Sequence, residues 1–262
     1  MSKIGVFDSG LGGLVITTAL IKALPQYDYL YLGDTAHLPY GDKTSGRILK
    51  YTLDSISYLI KQDCKLIIIA CNTATSICLR YIQQKFIPSY APDVKVLGVI
   101  IPTVEVALSS GEKKVGVIAT QATINSHIYQ TELQKINPNI GVIEQATPRL
   151  VPLIEQNNFK EMEDIIKQYL SQLRGVESLI LGCTHYPLIK EYCRRQMPSV
   201  RVISQDELIG KKLKDYLNRH PEIEHCLAQR QSRKFCVTRK NIKSEQIAAQ
   251  LFANIQIEEI AF

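Results

Sequence analysis

The sequence predicts an α/β protein built on doubly wound parallel sheets. Three observations carry that expectation. Short apolar, β-branched runs recur along the chain, most of them are continuous rather than alternating, and helix-like stretches separate them. A parallel strand covered on both faces needs apolar side chains on both sides, so a continuous run is its signature. Strands alternating with helices build parallel sheets, because each parallel pair needs a crossover.

The elements follow in order. KIGVFD (3–8) is the first strand, and the glycine-rich turn DSGLGGL (8–14) follows it. YDYLYLGD (27–34) is the second strand, leading into GDTAHLPYG (33–41). In 44–62, Leu49, Leu53, Ile56 and Ile60 keep a 3.6-residue spacing and predict a helix. LIIIAC (66–71), VKVLGVI (94–100), KVGVIAT (114–120) and IGVIEQA (140–146) are further strands. Met162, Ile165, Ile166, Tyr169, Leu170 and Leu173 predict a helix over 160–173. SLILGC (178–183) and VRVIS (200–204) close the series.

A weak repeat runs through these elements. KIGVFDS (3–9) matches KVGVIAT (114–120) at an offset of 111. LIIIACNTAT (66–75) matches SLILGCTHYP (178–187), with Cys71 and Cys183 offset by 112. Two landmarks in one order at nearly one offset point to two similar α/β units. If the units face each other about a pseudo-twofold axis, the two cysteines face each other as well.

Composition limits the function classes. A chain of 262 residues has room for one large domain or two small ones. No apolar run approaches the roughly 20 residues of a membrane span. MSKIGVFD lacks the apolar region of a secretion signal. Seven cysteines, an odd number, argue for free thiols in the reducing cytosol. The net charge of +6 resides in residues 210–240, with nine Lys/Arg against three Asp/Glu. A solvated helix face plus a loop explains that segment. A nucleic-acid or acidic-partner surface is the alternative, testable at Lys211, Lys212, Arg233 and Lys234 by salt-dependent binding.

Cys71 and Cys183 are the candidate chemical groups. Each ends a predicted strand, where ligand sites of open α/β sheets lie. Asn72 and Thr73 follow the first, Thr184 and His185 the second. A following helix would aim N–H groups at the thiol and lower its pKa. The other five, Cys64, Cys78, Cys193, Cys226 and Cys236, read as core or surface thiols, and no zinc spacing appears. In DSGLGGL the last glycine of a dinucleotide fingerprint is replaced by Val15. What remains is a backbone cradle for a small anion beside Asp8, or a turn in which glycine supplies a positive φ. Tyr40 and Gly41 are placed to line a pocket, and His37 reads as a surface histidine.

Together these residues resemble the glutamate racemase family of cofactor-independent enzymes. The resemblance rests on DSGLGGL (8–14), GDTAHLPYG (33–41), ACNTAT (70–75), GVIATQAT (116–123), LVPLIE (150–155) and LGCTHYPL (181–188). GDTAHLPYG favours the glutamate branch over aspartate racemases. The resemblance implies Cys71 and Cys183 as the acid/base pair. It implies Asp8, Ser9, Tyr40, Gly41, Asn72, Thr73, Thr184 and His185 as substrate contacts. Asp8, Glu155 and His185 are implied as the groups that orient or tune the thiols. It further implies no cofactor or metal, L- and D-glutamate as substrates, a cytoplasmic homodimer or monomer–dimer equilibrium, and supply of D-glutamate for peptidoglycan. The implied fold is two α/β domains, 1–97 plus 208–262 and 98–207, with the active site in the cleft between them. The C-terminal strand FCVTRKN (235–241) is basic where the family carries an acidic residue.

Overall fold

In the computed structural model, ten strands among the described residues form two parallel sheets. The structure describes residues 1–240, Gln246 and 256–261. The expected first domain runs to 262, so part of its tail lies outside the described residues, as does Asn241 of FCVTRKN. The first sheet contains β1 (Lys3–Asp8), β2 (Tyr29–Gly33), β3 (Cys64–Ile69) and β4 (Lys95–Gly98), with β9 (Arg233–Val237) and β10 (Ile257–Glu259) added at one edge. Its order is β10-β9-β2-β1-β3-β4. The second contains β5 (Lys114–Ala119), β6 (Gly141–Ala146), β7 (Ser178–Gly182) and β8 (Arg201–Ile203), ordered β6-β5-β7-β8. The order β2-β1-β3-β4 thus reappears as β6-β5-β7-β8. The sequence repeat marks this: it pairs β1 with β5 and β3 with β7, the two central strands of each set.

The continuous apolar runs have the burial they require. On β3, Leu66 and Ile68 face one core, while Ile67 and Ile69 face another. On β7, Ile180 faces the first of these cores and Leu179 and Leu181 face a third. The shared core lies between the sheets and joins Ile4 and Val6 of β1 to Val115 and Val117 of β5. Each such side chain taken from water contributes about 1.5–3 kcal/mol.

Helices fill the layers. Helix α1 (Gly13–Ala23) follows β1, α2 (Ser45–Lys61) precedes β3, and α3 (Asn72–Tyr81) follows it. The chain leaves the first sheet after β4 through helix Ile100–Ala107. It returns after β8 through helix Gln205–Arg219, which packs on α1. These helices sit between the sheets, so the two halves share one core. Gly210 permits a close approach to α1: a Cβ there would come within 2.4 Å of the Ala23 Cβ.

No described helix is long and apolar enough to cross a membrane. All seven cysteines are free, and only Cys226 is exposed. The basic segment is divided among a helix, a loop and a strand. Lys212 pairs with Glu105 and Lys234 with Glu258, and Arg233 donates to the carbonyls of Pro25 and Tyr27.

Substituting Gly210→Val forces a side chain into the α1 contact. Overpacking of this kind costs about 1–3 kcal/mol. The urea midpoint is expected to fall, with an unchanged denaturant slope.

Candidate active site

The ends of β1, β2, β3, β5 and β7 converge on one cavity of about 260 Å³. That is small-molecule scale. Cys71 and Cys183 both line it, from the first and second sheet respectively. Ser9, Tyr40, Gly41, Asn72, Thr73, Thr184, His185 and Glu155 line it as well. Asp8 does not. It is fully buried behind Ser9, and its contacts are internal.

Those contacts settle the purpose of the glycine-rich turn. The Asp8 Oδ2 accepts the N–H groups of Gly10 at 3.1 Å and Gly13 at 3.0 Å. The cradle is therefore occupied by the chain's own carboxylate. The Asp8 Oδ1 accepts from the Thr184 hydroxyl at 3.3 Å, which links the two sheets. Burial raises the Asp8 pKa, against the charge of His185 and the bonds from Gly13, Gly10 and Thr184. The expectation of positive φ in this turn is corrected. Gly111 and Gly175 are the described glycines with positive φ. Glycine is required at position 12 by close approach, since a Cβ would lie 2.5 Å from Thr184 Oγ1 and 2.6 Å from His185 Nδ1.

Cys71 caps α3, with the Ala74 N–H donating to Sγ at 3.4 Å and Sγ donating to Ser9 Oγ at 3.3 Å. The expected lowering by a helix N-terminus is outweighed. Burial pushes the Cys71 thiol up to about 12, the Asp8 charge adds to this, and the Ser9 and Ala74 bonds offset only part. Burial therefore favours the thiol form of Cys71.

The Cys183 side is built differently. No α-helix starts directly after Cys183; a turn leads into a short 3₁₀ segment, Tyr186–Ile189. Its partner is a side chain instead. His185 Nδ1 lies 3.8 Å from Cys183 Sγ, and Nε2 lies 3.1 Å from Glu155 Oε1. Burial opposes the imidazolium, but the bonds to Cys183 and Glu155 win and raise His185 to about 10. These contacts favour the charged ring, with the Cys183 sulfur beyond Nδ1 and the Glu155 carboxylate beyond Nε2.

The loop after β2 is held from below. Leu38–Pro39 is a cis peptide. The buried Asp34 accepts from Tyr40 OH at 2.7 Å and from Thr238 Oγ1 at 2.8 Å. The His37 imidazole is partly exposed, but it also pairs with Asp34 and stacks on Tyr51. Thr238 follows β9, so the C-terminal return supports the Tyr40 wall.

Several wall residues were not singled out from the sequence. Thr73 Oγ1 lies 2.8 Å from Thr120 Oγ1, and Thr120 Oγ1 lies 3.0 Å from Thr123 Oγ1. Thr120 ends the repeat match to Ser9, which was the available signal. Val151 and Pro152 lie within LVPLIE and add apolar lining from the same short helix that carries Glu155. Cys64, Cys78, Cys193 and Cys236 are buried away from the cavity.

The chain as a whole is similar to known proteins. The family model described as Asp/Glu/Hydantoin racemase matches residues 18–207. A glutamate racemase from Shouchella clausii is 36% identical over 263 residues, covering 98% of this chain and 92% of the relative. The crystal structure of glutamate racemase from Francisella tularensis in complex with D-glutamate is 35% identical, with a TM-score of 0.88 over 100% of this chain and 97% of that one. That of a glutamate racemase isoform from Bacillus anthracis is 30% identical, with a TM-score of 0.90 over 99% and 97%.

The His185 pair makes a pH-dependent contribution to stability. A folded pKa raised from 6.5 to about 10 means the folded state holds the proton more tightly. The contribution is complete below pH 6.5 and is lost as pH rises toward about 10. Denaturant melts across that window are expected to show a declining limb that His185→Gln flattens.

Proposed function

The chain belongs to the Asp/Glu/hydantoin racemase family, in its glutamate racemase branch, and on that premise we propose how it interconverts L- and D-glutamate. Cys71 and Cys183 are the two proton-transfer groups. The observation that carries this reading is their placement: two free thiols, at matching strand ends of two similarly ordered sheets, open on one cavity.

Racemisation removes the α-proton from one face of the substrate and returns a proton to the other. One base alone tends to return the proton to the side it came from. Two groups on opposite faces avoid this. For one enantiomer, one cysteine takes the α-proton as thiolate while the other donates from the opposite face as thiol. For the other enantiomer the roles reverse. Burial favours the thiol form of Cys71. On the opposite wall, His185 keeps a proton within reach of Cys183, and Glu155 holds the ring in place.

An α-proton is very weakly acidic, so the developing charge needs aimed donors in a water-poor cleft. The hydroxyls of Ser9 and Thr73 and the first N–H groups of α3 supply them. The N–H groups at a helix start have no partner within the helix. The Tyr40–Gly41 loop closes the cavity beside Thr120, and Asp8 acts from behind by holding Ser9's loop and Thr184. The two units 1–97 plus 208–262 and 98–207 form the two walls of the cleft. The product serves peptidoglycan synthesis in the cytoplasm, by a homodimer or a monomer–dimer equilibrium. A racemase acting on another acidic amino acid is the competing reading, and faster turnover of aspartate would establish it.

Purified protein given L-glutamate and no cofactor is expected to form D-glutamate. Cys71→Ala and Cys183→Ala each lower racemisation by about 10²–10⁴-fold, the usual worth of a positioned acid or base. Near wild-type turnover in either variant would overturn the two-thiol mechanism. In D₂O, wild-type protein incorporates deuterium at the glutamate α-carbon.

A further inference from the structure

Behind Cys71 lies a buried polar network that the proton-transfer chemistry does not use. Asn72, the residue after Cys71, is 2% exposed, and Tyr129, Thr103 and Gln205 are fully buried. The Gln205 Oε1 accepts from Asn72 Nδ2 at 2.9 Å, and Gln205 Nε2 donates back to Asn72 Oδ1 at 2.9 Å. The Tyr129 hydroxyl donates to the same Asn72 Oδ1 at 2.6 Å. Gln205 Nε2 also reaches Thr103 Oγ1 at 3.2 Å. Thr103 in turn donates to the Val99 carbonyl at 2.6 Å.

The origins of these residues matter. Thr103 lies on the helix that carries the chain out of the first sheet, and Gln205 begins the helix that brings it back. Tyr129 belongs to helix Ile128–Ile136 of the second half. The Asn72 side chain, next to Cys71, is therefore bonded directly to the returning crossing and the second half, and through Gln205 to the outgoing crossing. The Asn72 carbonyl oxygen has two donors already, and a reciprocal amide pair fixes the plane of the carboxamide. A carboxamide held in this way has a fixed plane, with its oxygen committed to the network.

We propose that Gln205 is a positioning residue for the reaction: with Tyr129 it clamps the Asn72 carboxamide, so that Asn72 serves the substrate through its backbone N–H while its side chain ties the Cys71 wall to both chain crossings. The proposal rests on the racemase reading for its substrate, not for its geometry. A buried amide pair whose partner is removed leaves unsatisfied polar groups, so the clamp is costly to break. Loss of alignment at a reacting centre by about 1 Å costs on the order of 10²-fold in rate.

A double-mutant cycle tests the clamp. Gln205→Met keeps the side-chain length and removes its hydrogen bonds. It is expected to lower kcat/KM for glutamate by about ten- to a hundredfold, mostly through kcat. Asn72→Ala, which retains the backbone N–H, is expected to fall by a similar factor. Residues acting as one unit are not additive, so the double variant loses no more than about twofold beyond the worse single one. Tyr129→Phe removes one donor and keeps the ring, and its smaller loss is likewise absorbed by Asn72→Ala. Multiplying losses, or wild-type kcat in Gln205→Met, overturns the proposal, because Asn72 would then act on the substrate by itself. Iodoacetamide alkylation of Cys71, followed by peptide mass spectrometry, separates this from the identity of the substrate. A protein that fails to racemise glutamate removes the proposed function, whereas a Cys71 rate unchanged by Gln205→Met removes the clamp.

Discussion

The carboxylate of Asp8 is the interaction on which the site depends. It has no contact with water and would be costly to bury alone. Two N–H groups from its own turn and a hydroxyl from the second sheet meet it. That arrangement sets the path of the glycine-rich turn and brings Thr184 against Gly12. With Gly12 in place, Thr184 and His185 can approach the first sheet more closely than any side chain would allow. Both walls of the cavity are therefore referenced to one buried charge.

The two thiols are similar in position and unlike in surroundings. Cys71 caps the start of a helix, but burial and the Asp8 charge favour its thiol form. Cys183 has no such helix and faces an imidazolium whose far side is held by Glu155. The surroundings differ although the strands that carry the thiols have the same order in the two sheets.

Much of the fold was legible because parallel strands must be apolar on both faces. LIIIAC and SLILGC could be read as strands, and their shared offset pointed to the repeated strand order. Cys71 and Cys183 stood out for the same reason, as matching residues at strand ends. The glycine turn was read less well. Sequence shows that glycines are present but not whether they serve φ or close approach, and here it was approach that required them. The Thr120 and Thr123 hydroxyls and the Asn72–Gln205 pair were not legible, because hydrogen-bond partners far apart in the chain leave no spacing pattern. The net charge of 210–240 pointed to a surface, but pairing with Glu105 and Glu258 is visible only once distant segments meet.

The sequence by itself determined the α/β class, the two-unit repeat, the free thiols and the residues at the strand ends. These follow from local periodicity and from side-chain chemistry, which each residue carries with it. Only the tertiary structure decided that the two sheets share one core, that Asp8 lies behind the cavity, and that burial favours the thiol form of Cys71. Those outcomes depend on burial and on charges brought close in space. A pKa or a buried hydrogen bond belongs to an environment, and the environment exists only after the chain has folded.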